Sequence, residues 1–166
     1  MHGDTEDDLR LLGSSASVGR DFSAAQLLFH ATVAELAGLS TTDYKCLDLV
    51  MRVRGPVTAS TLAQLAQLST GAVTGVVDRL QRAGYVRRVR DRTDRRRVLI
   101  EPVAGLEQRF DWIFTPLRAA IRELEATFDE HELRAVHRYL TGAAQVLRRQ
   151  TQRLREHAAP DHASNE

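Results

Sequence analysis

Hydrophobic residues recur every three to four positions along most of the chain, and this period predicts a mainly helical protein. The first helix is predicted to run from Asp21, which is suited to cap a helix, to about Ala37, with Gly38 as its stop. A second helix is predicted to begin at a cap formed by Thr41 or Thr42. We therefore expect two consecutive helices in the N-terminal part of the chain.

Two shorter helical segments follow and are separated by only a brief turn. Thr58 is predicted to open the first of them, and Leu68-Ser69 forms a tight corner that leads into the second. Gly84 is predicted to end the second segment. Two short helices joined in this way are typical of a helix-turn-helix. The second of these two short helices is expected to bury one face, formed by Val73, Val76, Val77 and Leu80.

The helical period stops after Gly84, where two short strand-like runs occupy residues 85–89 and 98–103. Between them, residues 90–97 contain no apolar side chain, so this segment is expected to project into solvent. The pattern predicts a β-hairpin with an exposed tip.

Helical spacing then resumes and continues towards the C-terminus. A long helix is predicted after the hairpin, and Pro116 is expected to bend it. Asp129 and Glu132 form an Asp-x-x-Glu pattern similar to a capping box, which predicts the start of a last helix. The last helix carries its own apolar stripe, formed by Leu133, Val136, Leu140, Leu147 and Leu154.

The charge of the chain is concentrated in one region. The chain has 166 residues, 43% of them hydrophobic, which is enough for one well-buried domain unit. Its formal net charge is only +1, yet residues 78–97 hold nine arginines against three aspartates. A local basic surface of this kind favours a polyanion as partner, and DNA fits it best.

The remaining composition argues against several classes of function. A single cysteine, Cys46, allows no internal disulfide, and the six histidines show no spacing that places metal ligands together. No apolar run is long enough to span a membrane, and the acidic N-terminus is unlike a secretory signal. No glycine-rich phosphate loop or nucleophile motif is evident. We expect a soluble cytoplasmic protein that is not an enzyme and uses no cofactor or metal.

Two stretches of the sequence resemble one known family. The hairpin reads Asp91-Arg92-Thr93-Asp94-Arg95-Arg96-Arg97, where that family carries an Asp-Pro-x-Asp-Arg-Arg run; Arg92 replaces the usual proline. Residues 68–80 are similar to its recognition helix and end in Asp78-Arg79-Leu80, and Gly84-Tyr85-Val86 follows. The family is that of the MarR-type winged helix-turn-helix regulators of bacteria. The resemblance covers roughly residues 22–157.

This resemblance implies a fold and an assembly. A winged helix-turn-helix DNA-binding domain is expected at residues 42–103, with dimerisation helices at 18–41 and 104–157 and mobile tails at 1–17 and 158–166. The apolar stripes of the first and last helices lie outside the winged unit, so a homodimer is expected to cover them. A twofold pair places two recognition helices about 34 Å apart, which predicts a near-palindromic operator.

The resemblance and the exposed residue types also indicate the DNA contacts. Arg79 is expected to contact the DNA backbone from the recognition helix. In the hairpin, Arg96 is expected to enter the minor groove and Asp94 to orient it by a salt bridge, while Arg92 and Arg95 hold phosphates. The small residues that would allow the recognition helix to lie deep in a major groove and meet bases or phosphates are Thr70, Gly71, Thr74 and Gly75.

A sensor site is a further implication of the resemblance. Members of the family commonly release DNA when a small, often phenolic or carboxylate-bearing molecule binds between the dimer helices and the winged unit. His30, Tyr44 and Trp112 are the residues expected to line that crevice, with plain core packing as the alternative interpretation. Cys46 has two interpretations, a peroxide sensor or an inert side chain that packs in an apolar stripe. Its position on that stripe favours the inert packing role.

Two functional hypotheses remain after this reading of the sequence. The first is a ligand-responsive transcription factor, usually a repressor, that binds its operator as a homodimer. The second is an architectural or constitutive DNA-binding protein that uses the same basic hairpin and has no effector. Measured sequence specificity distinguishes them, since only the first should prefer one palindrome at elevated salt.

Overall fold

The computed structural model describes residues 3–53, 55–91 and 93–158, with side chains from Ser17 to His157 within those ranges. The described elements confirm the predicted fold class, mainly α with a small β-hairpin wing. Arg92, one of the expected phosphate contacts, lies outside the described residues. In chain order the elements are α1 (Gly3–Leu36), α2 (Thr41–Arg52), β1 (Val57–Thr58), α3 (Ala59–Ala66), α4 (Thr70–Arg82), β2 (Val86–Arg90), β3 (Val98–Pro102), α5 (Leu106–Glu125) and α6 (Glu130–Ala158).

The chain divides into two compact units, Met1–Asp111 and Trp112–Glu166, and the division falls inside α5. The first unit contains the helix-turn-helix, the wing and the start of α5. The second contains the rest of α5 and all of α6. The assignment of residues 42–103 to DNA binding and of the flanking helices to dimerisation stays a prediction.

Helix α1 begins at Gly3 rather than at the predicted Asp21. The sequence from residue 3 to residue 36 contains no proline, so every residue there has the backbone N–H that a helix requires. The other end agrees with the prediction. Gly38 has a φ of 65°, and the backbone N–H of Leu39 donates to the carbonyl of Ala34 at 2.9 Å, which closes the last turn.

Hydroxyl side chains cap the next three helices. The predicted cap of α2, Thr41 or Thr42, is wrong: Ser40 has the extended backbone that a cap requires, and its Oγ accepts the N–H of Asp43 at 3.1 Å. Thr58 caps α3 as predicted, because its Oγ1 accepts the backbone N–H of Thr61 at 3.1 Å. Ser69 caps α4, and its Oγ accepts the N–H of Ala72.

The core of the first unit lies between α2, α3, α4 and the sheet. The predicted stripe of α4 is confirmed, since all four of its apolar residues are buried. Burial of these side chains is the main force that holds the helix-turn-helix together, at about 1.5–3 kcal/mol for each fully buried aliphatic side chain. The largest fully buried side chains of this core include Leu47, Leu62, Leu80, Ile100 and Leu106.

The wing is an antiparallel sheet with the strand order β1-β3-β2. Val86 pairs with Pro102 and Arg90 with Val98, so the predicted hairpin is confirmed with its tip at residues 91–97. The short strand β1, which pairs Val57 with Ile100, was not predicted. Two residues are too few to show a strand period, and their partner lies far along the chain.

Tyr85 anchors the start of the wing to other elements of the first unit. Its Oη donates a hydrogen bond to the carbonyl of Ala37, at the end of α1, at 2.8 Å. Its ring stacks on Phe110 with the centroids 6.0 Å apart, and the guanidinium of Arg109 lies 4.5 Å from the ring centroid. The junction between α4 and β2 is therefore tied to both α1 and α5.

The second unit starts its last helix with the predicted capping box. The backbone N–H of Asp129 donates to Oε2 of Glu132 at 2.8 Å, and that of Glu132 donates to Oδ1 of Asp129 at 2.7 Å. Pro116 lies inside α5. Several leucines of α6 are exposed within this unit, including Leu140, Leu147 and Leu154, which are 46%, 65% and 70% exposed.

Among the described residues, no single helix has the length and apolar composition needed to cross a membrane. Ser17–Leu36 and Thr41–Arg52 meet those criteria only as a pair, and the two are bent by 95° at the break between them.

Candidate nucleic-acid interface

The face of α4 opposite its buried valines carries only small side chains in its first half. Thr70, Gly71 and Thr74 are exposed and Gly75 is half-buried. A Cβ atom added at Gly71 would meet nothing within 4 Å, so the protein itself does not require a glycine there. The hydroxyl of Thr74 donates to the carbonyl of Thr70 at 3.0 Å, which leaves its oxygen as an acceptor for an outside donor. This surface admits the close approach of a partner.

Two aspartates organise the tip of the wing. Oδ1 of Asp91 accepts the backbone N–H of Thr93 at 2.8 Å and the hydroxyl of the same residue at 2.7 Å. These hydrogen bonds lower the pKa of Asp91 below its usual value, and the one from the backbone N–H has the larger effect. Oδ1 of Asp94 accepts the backbone N–H of Arg96 at 3.0 Å. The predicted salt bridge from Asp94 to the Arg96 guanidinium is not formed among the described residues; Asp94 shapes the backbone instead.

The arginines of residues 78–97 fall into two groups. Three of them are bound within the fold: Arg79 by Asp43, Arg87 by Glu101, and Arg88 by Asp78. Within the described part of the chain, the others form no salt bridge to a protein acid, and most of them cluster at the wing tip. This second group consists of Arg82, Arg90, Arg95, Arg96 and Arg97. Its positive charge remains available to a partner.

Arg88 joins the wing to the exposed face of α4. Its Nη2 lies 2.6 Å from Oδ1 of Asp78, and its Nη1 donates to Oε1 of Gln81 at 2.7 Å. Both acceptors are on α4, so strand β2 is held against the helix next to it. In the sequence, Asp78 and Arg88 are evident only as charges. The two residues are ten positions apart, one on a helix and the other on a strand, so neither the helical nor the strand period of the sequence predicts that they pair.

Arg79 forms a two-pronged ion pair with Asp43 of α2. Its Nη2 donates to Oδ1 at 2.7 Å, and its Nε donates to Oδ2 at 2.9 Å. Asp43 is only 3% exposed, and the hydrogen bonds from Arg79 are the main reason that the pKa of its carboxyl lies below the usual value. Nε and Nη2 of the guanidinium expected to contact the DNA backbone are thus already engaged within the fold, although the Arg79 side chain is 48% exposed.

A pocket of about 320 Å³ lies between α1 and α2 in the first unit. It contains two of the three predicted effector contacts, His30 and Tyr44, whose ring centroids are 5.9 Å apart. Lys45 also lines the pocket, and its Nζ donates to the carbonyl of Ala66, the last residue of α3, at 3.2 Å. Trp112, the third predicted contact, is the first residue of the second unit, whereas all lining residues belong to the first.

Cys46 lies on the buried face of α2 with no exposed surface. Burial is the main cause that raises the pKa of its thiol, which disfavours the thiolate form that reacts with oxidants. Its position agrees with the interpretation as apolar filling. No group of three or more His, Cys, Asp or Glu residues suited to a metal ion occurs in the part of the chain that the structure describes.

Comparisons with known proteins agree on one family. A family model described as the MarR family matches residues 37–97. The chain is 36% identical over 137 residues to YcgE, an uncharacterized HTH-type transcriptional regulator of Bacillus subtilis, and the match covers 82% of this chain and 88% of YcgE.

Solved structures show the same fold. A MarR family protein from Bacillus stearothermophilus aligns with a TM-score of 0.63 and 20% identity over 83% of this chain and 96% of its own. FabT of Streptococcus pneumoniae, solved in complex with DNA, aligns with a TM-score of 0.65 and 20% identity over 84% of this chain and 99% of its own.

The helix-turn-helix, the arginine-tipped wing and these relatives define a winged helix-turn-helix transcriptional regulator. Proteins of this class act by binding DNA and are not enzymes. The chain belongs to the MarR family.

Proposed function

We propose that this protein is a cytoplasmic, homodimeric repressor that binds a near-palindromic operator and is released from it by a small-molecule ligand. The observation that carries the proposal is an exposed small-residue face on α4, a helix that Arg88 ties to strand β2 of the wing, together with a wing tip whose arginines form no salt bridge among the described residues. The first element suits a major groove and the second suits the adjacent backbone and minor groove.

The first half of α4 is the proposed reading surface. Thr70 and Thr74 would meet base edges or phosphates, and Gly71 and Gly75 would let the helix backbone lie deep in the groove. Few long donors on this face predict modest direct readout, so the shape of the DNA should contribute to specificity. The DNA-bound FabT structure has the same fold, which supports DNA as the partner of this chain.

The wing tip is the proposed minor-groove element. Arg96 is the arginine that would insert, while Arg92 and Arg95 would hold phosphates. Asp94 supports this role by accepting the backbone N–H of Arg96, which restrains the loop that carries the inserting side chain. An ordered loop loses less conformational entropy when it binds.

Exposed apolar stripes support the homodimer. Phe22 and Leu28 of α1 are 51% and 69% exposed in the isolated chain, and the leucines of α6 are similarly exposed. Apolar side chains at such a density are commonly covered by a partner. A twofold dimer would present two α4 helices to successive turns of one face of B-DNA, and the operator would repeat that symmetry.

The pocket between α1 and α2 is the proposed effector site. Its lining surface is mainly apolar and includes the rings of His30 and Tyr44. Lys45 also lines it, as does Asp48, whose carboxylate is paired with Arg52. Such a lining suits a phenolic ring that bears a carboxylate. Trp112, the third predicted effector contact, stays a prediction.

Fluorescence anisotropy tests the proposal as a whole. The purified full-length protein is titrated onto DNA from upstream of its own coding region and onto a scrambled duplex, at two salt concentrations, with and without salicylate as the probe ligand. Tight binding to one palindrome that salicylate weakens supports the proposal. Binding that ignores both sequence and ligand would instead favour an architectural DNA-binding protein.

Gly71→Ala distinguishes an effect on protein stability from an effect on how closely α4 can approach DNA. We expect the thermal midpoint to stay level or rise, because the added methyl group meets open space and alanine favours a helix. Operator affinity should fall by roughly tenfold, since a Cβ would hold the helix away from the groove. Gly142→Ala in α6 is the matched control, because its added methyl also meets nothing within 4 Å. Unchanged operator affinity in Gly71→Ala would remove this position from the interface.

Ala31→Phe tests the effector pocket by filling it. Ala31 lines the pocket beside His30, so a phenyl group there should occupy the space proposed for the ligand. We expect salicylate to weaken operator binding of the wild type by roughly tenfold, an ordinary coupling between two sites, and to have no such effect on the variant. The neighbouring Thr32 is exposed, so Thr32→Phe should keep the response. A full salicylate response in Ala31→Phe would place the effector elsewhere.

A further inference from the structure

The ion pair between Asp43 and Arg79 is the most buried charged contact among the salt bridges of the described residues. The side chain of Asp43 is 5% exposed, whereas those of the other paired acids are between 22% and 84% exposed. Its partner lies in the last turn of α4, 36 residues further along the chain. A nearly buried carboxylate needs a partner, because an unpaired charge is costly in a protein interior.

The geometry of the pair restrains α4 in a way that its apolar contacts do not. Two N–H donors of a planar guanidinium meet two oxygens of a planar carboxylate, so both distance and relative rotation are restrained. The valine stripe of α4 packs by apolar contact, which has no strong directional preference. The far end of the pair is also ordered, because Asp43 lies in the first turn of α2 and its N–H donates to Ser40 Oγ.

Contact with a DNA phosphate would compete with this pair. If a phosphate drew Arg79 away from the pair, the carboxylate of Asp43 would remain buried without its partner. The Arg79 side chain is 48% exposed and its Nη1 takes no part in the pair, so the salt dependence of binding must decide whether a phosphate also meets it. A surface contact between a guanidinium and a phosphate is partly screened by salt, whereas the cost of leaving a buried charge alone is not. The arginines of the wing tip carry no such cost, because no protein acid holds them within the described ranges.

We infer that Asp43 and Arg79 position the recognition helix for sequence readout, and that Arg79 acts through Asp43 instead of holding a phosphate. The inference rests on the proposed role of α4 in the major groove. It replaces the expectation that Arg79 contacts the DNA backbone. Both residues are positioning residues, and their effect should appear in specificity and not in the electrostatic part of DNA binding.

The salt dependence of binding tests this inference. A phosphate contact contributes about 0.9 to the slope of log K against log salt concentration, so losing one per protomer would lower the slope by about 1.8 in a dimer. We expect full-length Arg79→Gln, which removes the charge, and Asp43→Asn to keep the wild-type slope. Both should lose roughly tenfold or more in the ratio of operator affinity to scrambled-duplex affinity, since each breaks the two-pronged geometry.

The double variant and a matched arginine complete the experiment. If the two residues act as one unit, Asp43→Asn combined with Arg79→Gln should lose no more specificity than either alone. Arg82→Ala removes an exposed arginine of the same helix that has no acid partner in the described chain, and it should lower the slope without changing the specificity ratio. DNA binding is measured well below the thermal midpoint of each variant, which excludes unfolding as the cause of a lost specificity.

The outcomes separate this inference from the proposed function. A lower slope in Arg79→Ala or Arg79→Gln with an unchanged specificity ratio would overturn the positioning role and restore the phosphate contact. Full additivity of the two single variants would also overturn it. Wild-type protein without any operator preference would instead contradict the proposed function itself.

Discussion

Arg96→Ala should weaken operator binding by roughly 100-fold while the fold and the dimer remain intact. Each protomer would lose one contact with the DNA, and a specific contact contributes about 1–3 kcal/mol, so the two losses combine in the dimer. The side chain of Arg96 is exposed and has no acid partner within the described residues, so its removal leaves no buried charge behind. Anisotropy titration on the operator measures the loss, and circular dichroism checks the fold.

Arg87 provides the matched control for this experiment. It lies on the same wing, but its Nη2 is 2.5 Å from Oε1 of Glu101 on the neighbouring strand. Arg87→Ala removes the same charge from a side chain already held within the sheet, so its effect on operator affinity should be several times smaller. Equal losses in the two variants would mean that only the total charge of the wing matters.

Leu147→Glu combined with Leu154→Glu should convert the dimer into a monomer and reduce operator affinity by roughly 100-fold or more. Leu140, Leu147 and Leu154 follow one another at intervals of seven residues on α6 and are exposed in the isolated chain. A glutamate in an apolar interface must be buried without a partner, which disfavours association. Two linked half-sites bind about 100- to 10,000-fold more tightly than one, and the monomer loses this gain.

Light scattering and anisotropy together check the second prediction. Arg148→Glu changes a neighbouring exposed residue of α6 outside the apolar stripe and should leave the dimer unchanged. The variant monomer should keep its helical circular dichroism, because the core of the first unit does not include these leucines. A stable dimer of the double glutamate variant would show that α6 contributes no essential part of the interface.

Local sequence signals predicted most of the elements of this fold. The hairpin around residues 90–97 and the helix-turn-helix around Ser69 occur where the sequence predicted them. The caps at Thr58 and Asp129 were predicted because a hydroxyl or carboxylate bonds to a backbone N–H only three residues away. The cap of α2 was missed by one or two residues, since Ser40, Thr41 and Thr42 are all suited to cap and only the backbone angles distinguish them.

The candidate interface was predicted less completely. The arginine-rich tip was evident as a run of charge, but the sequence did not indicate which arginines are already paired. Asp91, which holds the tip through Thr93, was missed, and Asp94 was assigned a side-chain partner where it has a backbone one. Within the seven-residue tip, the same composition allows many pairings, and the loop geometry selects among them.

The amino-acid sequence by itself determined the order of the helices, the position of the wing and the resemblance to the MarR family. These features rest on side-chain period, capping and contiguous motifs, which act over a few residues. The tertiary structure alone decided that Asp43 holds Arg79, that Arg88 ties the wing to α4, and that β1 joins the sheet. Those contacts join residues 10 to 43 positions apart, and only the packing of the core brings such residues within hydrogen-bond distance.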